Sequence, residues 1–67
     1  MDLQKVCDFI RERHYPINAL ADDLEISRQS LYMKLSGERE FRASELLKMQ
    51  KVLRMSKDEV LNIFFNM

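Results

Sequence analysis

Apolar residues recur every three or four positions along most of the chain, which is the spacing of an amphipathic α-helix. In the first such segment Leu3, Val6 and Ile10 share one face. The pattern predicts five helices, over about residues 2–13, 17–23, 28–36, 42–54 and 57–65. The sequence therefore predicts an all-α fold, in the form of a compact five-helix domain.

Residues that begin or end helices lie between the predicted segments. Pro16 interrupts the first segment and suits the start of the second, because proline has a fixed φ and no amide hydrogen. Ser27 is a good N-cap for the third segment, and Gly37 favours its end. Ser56 and Glu59 have the spacing of a capping box at the start of the fifth. These residues support the predicted bounds.

Length and composition restrict the class of protein. The 67 residues accommodate one domain, and 46% hydrophobic with 33% charged residues is typical of a globular rather than a disordered chain. The single cysteine, Cys7, excludes an internal disulfide and suits a reducing compartment. No segment resembles a signal peptide, and no apolar run is long enough to span a membrane. We therefore expect a cytoplasmic protein with no membrane partner.

The outward face of the third predicted helix combines polar side chains with a large apolar one. At about 100° per residue, Leu31 and Leu35 fall on one side of this helix, and Gln29, Met33 and Ser36 fall roughly opposite. Such a surface is compatible with an ordinary solvated face. It is also what a helix presents to the major groove, where polar side chains meet base edges.

The residues around this helix match a known pattern more specifically. Residues 20–37 combine spaced apolar positions with a serine and a glycine, namely Leu20-Ala21, Leu24, Ile26-Ser27, Leu31, Leu35 and Gly37. This string resembles the helix–turn–recognition-helix core of the Cro/Xre-type helix-turn-helix family of small phage repressor-like regulators. The later apolar positions are similar to that family's fourth and fifth helices. The resemblance implies one phage repressor-like helix-turn-helix domain over residues 1–67.

The resemblance also implies roles for individual residues. The positions that family members use to contact bases are occupied here by Arg28, Gln29, Tyr32 and Met33. The positions that approach the DNA backbone are occupied by Ser27, Ser30, Lys34, Ser36, Arg39 and Arg42. The chemistry is suitable, because glutamine pairs with adenine and arginine with guanine through two hydrogen bonds each.

The chain differs from the family pattern at four positions, one of which is Arg42, where a capping serine or threonine is typical. Ile17 stands where family members usually have a phosphate-binding glutamine at the start of the second helix. Glu25 stands where the turn commonly has a glycine. Gln50 replaces a small apolar residue, and it is expected on the inner face of the fourth helix.

The charge of the chain is unevenly distributed. Eleven basic and eleven acidic side chains give no net charge. However, residues 1–26 carry a net charge of −3, residues 27–54 carry +4, and residues 55–67 carry −1. Because salt screens charges beyond about 8–10 Å, the local excess matters more than the total. The segment containing the third helix is therefore expected to attract phosphates.

Two functions of different classes are compatible with these residues. The first is a sequence-specific double-stranded DNA-binding transcriptional regulator, a phage or prophage Cro or repressor type, which reads the major groove with helix 28–36. It is expected to bind a two-fold operator as a homodimer, with Leu61 and Phe65 at the dimer or partner interface. The alternative is a protein-interaction module, such as an antirepressor that binds a repressor through the same fold.

Catalysis is not expected. Cys7 and His14 are seven residues apart, which predicts that both lie on the inner side of the first helix, yet no third group accompanies them. Asp22, Asp23 and Glu25 lack the loop and ligand spacing of a cation site. We therefore predict no catalytic residue, no metal and no cofactor.

Overall fold

The computed structural model describes residues 1–67 as five α-helices without a strand. The helices are α1 (Leu3–Glu12), α2 (Ile17–Asp23), α3 (Arg28–Ser36), α4 (Ala43–Val52) and α5 (Lys57–Phe64). The predicted all-α class and the number of helices are confirmed. Each bound lies within two residues of its predicted position. No helix is both long enough and apolar enough to cross a membrane.

A single core joins the five helices. Leu20 of α2, Leu31 of α3 and Met49 of α4 are fully buried at its centre, and Val6 of α1 and Ile63 of α5 close it. Full burial of each such side chain stabilises the fold by about 1.5–3 kcal/mol. Helix α3 packs on α1 and α2, while α2 also contacts α4 and α1 contacts α5. The core therefore contacts only one side of α3 and leaves the opposite side uncovered.

Each helix is followed by a residue in the left-handed backbone region. These residues are His14, Glu25, Gly37, Arg54 and Asn66, with φ between 54° and 92°. After the first four helices the next amide hydrogen returns to the carbonyl five positions earlier, at 2.9–3.2 Å, in the pairs Tyr15–Ile10, Ile26–Ala21, Glu38–Met33 and Met55–Gln50. These bonds satisfy carbonyls that a helix end otherwise leaves free.

The prediction for His14 is wrong. This residue lies beyond the end of α1 with φ +54° and is exposed, whereas Cys7 is half-buried within the helix. The reason is that α1 ends at Glu12, so helical spacing no longer applies at position 14. The two side chains do not share a buried face.

Glu25 occupies the turn between α2 and α3 in a conformation that favours glycine. Its φ is +59°. A residue with a side chain costs about 1–2 kcal/mol in the left-handed region. Glycine removes this cost, but it also increases the conformational entropy of the unfolded chain, which offsets part of the gain. We expect Glu25→Gly to raise the free energy of unfolding by about 0.5–1 kcal/mol, measured by urea denaturation.

A matched control for this change is Glu40→Gly. Glu40 is also exposed and carries the same charge, but its φ is not positive. This variant should be no more stable than the wild type. Equal stabilisation by both changes would mean that the lost charge, rather than the relieved backbone, is responsible.

Candidate nucleic-acid interface

Helix α3 is fixed at both ends and along its inner face. The hydroxyl of Ser27 accepts the amide hydrogen of Ser30 at 3.0 Å, as the sequence predicts for an N-cap. Leu31 is completely buried, and Leu35 packs partly buried against the core. Gly37 ends the helix with φ +92°. The outer face of α3 is thereby held rigidly without being covered.

One open depression lies along this outer face. All four residues predicted to contact bases line it, namely Arg28, Gln29, Tyr32 and Met33. Ser36 and Glu38 complete the lining. Tyr32 is 54% exposed, and Met33 is half-buried. The hydroxyl of Ser36 donates to the carbonyl of Met33 at 3.0 Å. The structure therefore brings the predicted base-contacting side chains onto one accessible surface.

A second depression lies beside the first and is more strongly charged. Four of the residues predicted to contact the DNA backbone line it together, namely Ser30, Lys34, Arg39 and Arg42. Glu25 and Glu40 lie in the same depression. The two arginines thus face a shared surface on which two carboxylates partly offset their charge.

Lys34, which was also assigned to the DNA backbone, is buried. It is only 6% exposed, and its ammonium group donates to both carboxylate oxygens of Glu45, at 2.6 and 2.5 Å. Lys34 follows Leu31 by three residues, so both point to the inner side of α3. Its charge is already paired with a buried carboxylate, so this geometry does not support its assignment to the DNA backbone, which stays a prediction.

Glu45 is the functional partner that the sequence analysis missed. It is 6% exposed and also accepts the amide hydrogen of Arg42 at 2.7 Å, so it caps α4 while holding Lys34. Burial alone favours its neutral form, but the Arg42 amide and the Lys34 ammonium outweigh that effect and lower the pKa of the carboxyl. Glu45 thus joins α3 to α4 as a charged group.

Arg28 has a partner that the sequence analysis also missed. Its Nη1 donates to the side-chain oxygen of Asn18, in the first turn of α2, at 2.8 Å. Both residues are exposed. No signal in the sequence connects them, because they are ten residues apart and lie on different helices.

Two further predictions are clarified by burial. Gln50 is half-buried beside Leu47 and Lys51 on the side of α4, and no buried side-chain nitrogen or oxygen in the molecule lacks a hydrogen-bond partner. Gln50 therefore does not place an unpaired polar amide in the core. Leu61 of α5 is half-buried, and Phe65, which directly follows the helix, is 60% exposed. The dimer interface to which they were assigned stays a prediction.

Comparison with protein-family models, with characterised proteins and with solved structures finds no significant match. The resemblance to Cro/Xre-type regulators stays a prediction that rests on about residues 15–65 of this chain. No group of three or more histidine, cysteine, aspartate or glutamate side chains is arranged to bind a metal ion.

Proposed function

We propose that this chain is a sequence-specific double-stranded DNA-binding regulator of transcription that inserts α3 into the major groove. The observation that supports it is the clustering of Arg28, Gln29, Tyr32 and Met33 in one open depression along the outer face of α3. A recognition helix needs this combination, because its side chains must reach base edges while its other face is held by the domain.

The chemistry of the depression suits base recognition. Arg28 offers paired N–H groups to guanine O6 and N7, and Gln29 offers a donor and an acceptor to adenine N6 and N7. Tyr32 and Met33 supply apolar surface for a thymine methyl group. Each good bidentate pair discriminates against the wrong base by about 1–3 kcal/mol.

The second depression suits the DNA backbone. Arg39 and Arg42 lie beside Ser30 there, and Arg42 is the N-cap of α4, where free amide hydrogens favour an anion. The pairing of Lys34 with Glu45 removes one positive and one negative charge, so the segment 27–54 keeps its excess of +4. A neutral protein thereby retains a positive surface next to α3.

The salt dependence of binding tests this proposal. We expect a fluorescently labelled random duplex to be bound at low salt, with the logarithm of the binding constant falling by about 3 per tenfold rise in salt for one chain, because Arg28, Arg39 and Arg42 each bring one positive charge close to the phosphates. Fluorescence anisotropy measures it. Arg39→Ala should reduce the slope by about 1. The absence of binding at any salt would contradict the proposal.

A homodimer is part of the proposal. Phe65 is a large apolar side chain that is mostly exposed, next to the half-buried Leu61. Pairing of two such surfaces buries them and presents two copies of α3. On a two-fold operator the two recognition helices then lie about 34–36 Å apart.

A second candidate function is a protein-interaction module, such as an antirepressor that binds a repressor. Exposed apolar side chains favour it, in particular Tyr32 in the α3 depression and Leu47, which is 68% exposed on α4. The two functions differ in one measurement. A module of this kind forms a stable complex with a repressor, and Arg28→Ala has no effect on its binding to duplex DNA.

A further inference from the structure

Asn18 contacts the proposed DNA-binding surface from a different helix. It is the polar side chain in the first turn of α2, between Ile17 and Ala19. Its Oδ1 accepts a hydrogen bond from Nη1 of Arg28, the first residue of α3, at 2.8 Å. Two residues later in α2, Leu20 is completely buried, so the backbone that carries Asn18 is anchored in the core.

We propose that Asn18 is a positioning residue that sets the direction of the Arg28 guanidinium and thereby the preference for guanine at one base position. This inference rests on the proposed DNA-binding function and names a residue that determines its specificity. Asn18 itself is not assigned a contact with a base.

The geometry of arginine explains why such a partner matters. The guanidinium is a rigid plane with five N–H donors at the end of a flexible chain, and a guanine edge accepts two of these donors only when the plane is correctly oriented. A hydrogen bond from one nitrogen to a fixed oxygen restricts that plane before DNA arrives. The remaining donors of Arg28 stay free for the base. Such preorganisation reduces the ordering that binding requires.

The type of acceptor supports the same conclusion. Arg28 forms no ion pair; the ion pairs in the structure are Arg11–Asp8, Arg13–Glu59 and Lys34–Glu45. A carboxylate at position 18 would hold the guanidinium equally well but would neutralise the charge that attracts DNA. The neutral amide of Asn18 directs Arg28 and leaves its charge intact. This combination is what a base-contacting arginine needs.

Selection from a random duplex library, followed by anisotropy titrations, tests the proposal. In Asn18→Ala, the preference for guanine at the position that Arg28→Ala abolishes should fall about two- to tenfold, the range of one hydrogen bond. Binding to a random duplex, its salt slope and the melting temperature should stay as in the wild type. Asn18→Asp should keep the base preference but bind a random duplex more weakly, with a salt slope smaller by about 1.

The controls separate positioning from other effects. Adding Asn18→Ala to Arg28→Ala should change nothing further, because the positioned group is already gone. Asn62→Ala is a matched control, since Asn62 of α5 is also an exposed amide that accepts a hydrogen bond, from Lys5 at 2.9 Å. It should leave the base preference unchanged.

Three results would overturn the inference. An unchanged base preference in Asn18→Ala, with the wild type binding DNA, would refute the positioning role and leave the proposed function intact. An additional loss in the double variant would mean that Asn18 acts independently of Arg28. A wild type that binds no duplex at any salt would refute the proposed function and this inference together.

Discussion

Lys34→Met is expected to destabilise the fold by about 3–5 kcal/mol, because it leaves the buried carboxylate of Glu45 without its cation. Domains of this size are stabilised by about 0.05–0.15 kcal/mol per residue, so such a loss is a large part of the total. The melting temperature, followed by circular dichroism, should fall by more than about 12 °C. Lys48→Met is the matched control, since Lys48 is exposed on α4. That change should cost less than about 0.5 kcal/mol.

A double variant separates the burial of charge from the packing of the side chains. Combining Lys34→Met with Glu45→Leu removes both buried charges, and it should recover most of the stability that the single change loses. The recovery is incomplete because the amide hydrogen of Arg42 loses its acceptor. A single variant as stable as the wild type would contradict the burial of this pair.

Acid provides an independent measure of the same ion pair. The pKa of Glu45 is lowered in the folded protein from its ordinary value of 4.5, so its stabilising contribution is complete above about pH 4.5 and is lost as the pH falls towards the folded value. Unfolding free energies measured from pH 6 downward should therefore decline in the wild type. In the double variant without Glu45 this part of the decline should be absent.

Arg28→Ala is expected to weaken binding to a selected operator by about 1–3 kcal/mol, or roughly 5- to 150-fold in the dissociation constant. The change removes the proposed bidentate base contact and a positive charge from the N-terminal end of α3. Arg28 is exposed and its hydrogen bond to Asn18 lies on the surface, so the melting temperature should hardly change. Anisotropy titrations with the operator and with a random duplex measure the two components separately.

The control for this result is Lys57→Ala. Lys57 is exposed at the start of α5, outside the positive segment 27–54, and its loss removes the same unit of charge. Operator binding should remain within about twofold of the wild type, because the charge lies outside the proposed contact surface and is screened by salt. Equal losses from both changes would assign the effect to net charge and not to recognition by α3.

The helices themselves were predictable from the sequence because their signals are local. Apolar periodicity marks the face of each helix, and capping residues such as Ser27 and Ser56 satisfy amide hydrogens within three positions of themselves. Gly37 marks the end of α3 for the same reason. The left-handed conformation of residues such as His14 and Arg54 was not predicted, because their side chains do not indicate a positive φ.

The outward face of α3 was also predictable, since it depends only on helical geometry. Once Leu31 faces the core, the directions of Gln29, Tyr32 and Met33 follow from about 100° per residue. The structure brings them together with Arg28 in one depression. The direction of Lys34 was available from the same geometry, because it lies only three residues beyond Leu31.

The sequence by itself therefore determined the five helices, the caps of α3 and α5, and the outward direction of Gln29, Tyr32 and Met33, because each depends on residues within one or two turns. Only the tertiary structure decided which side chains meet across helices. Lys34 and Glu45 are eleven residues apart, and Asn18 and Arg28 are ten apart, on helices whose relative positions the core fixes. Helical periodicity gives the direction of a side chain from its own axis, whereas its partner depends on how two axes pack.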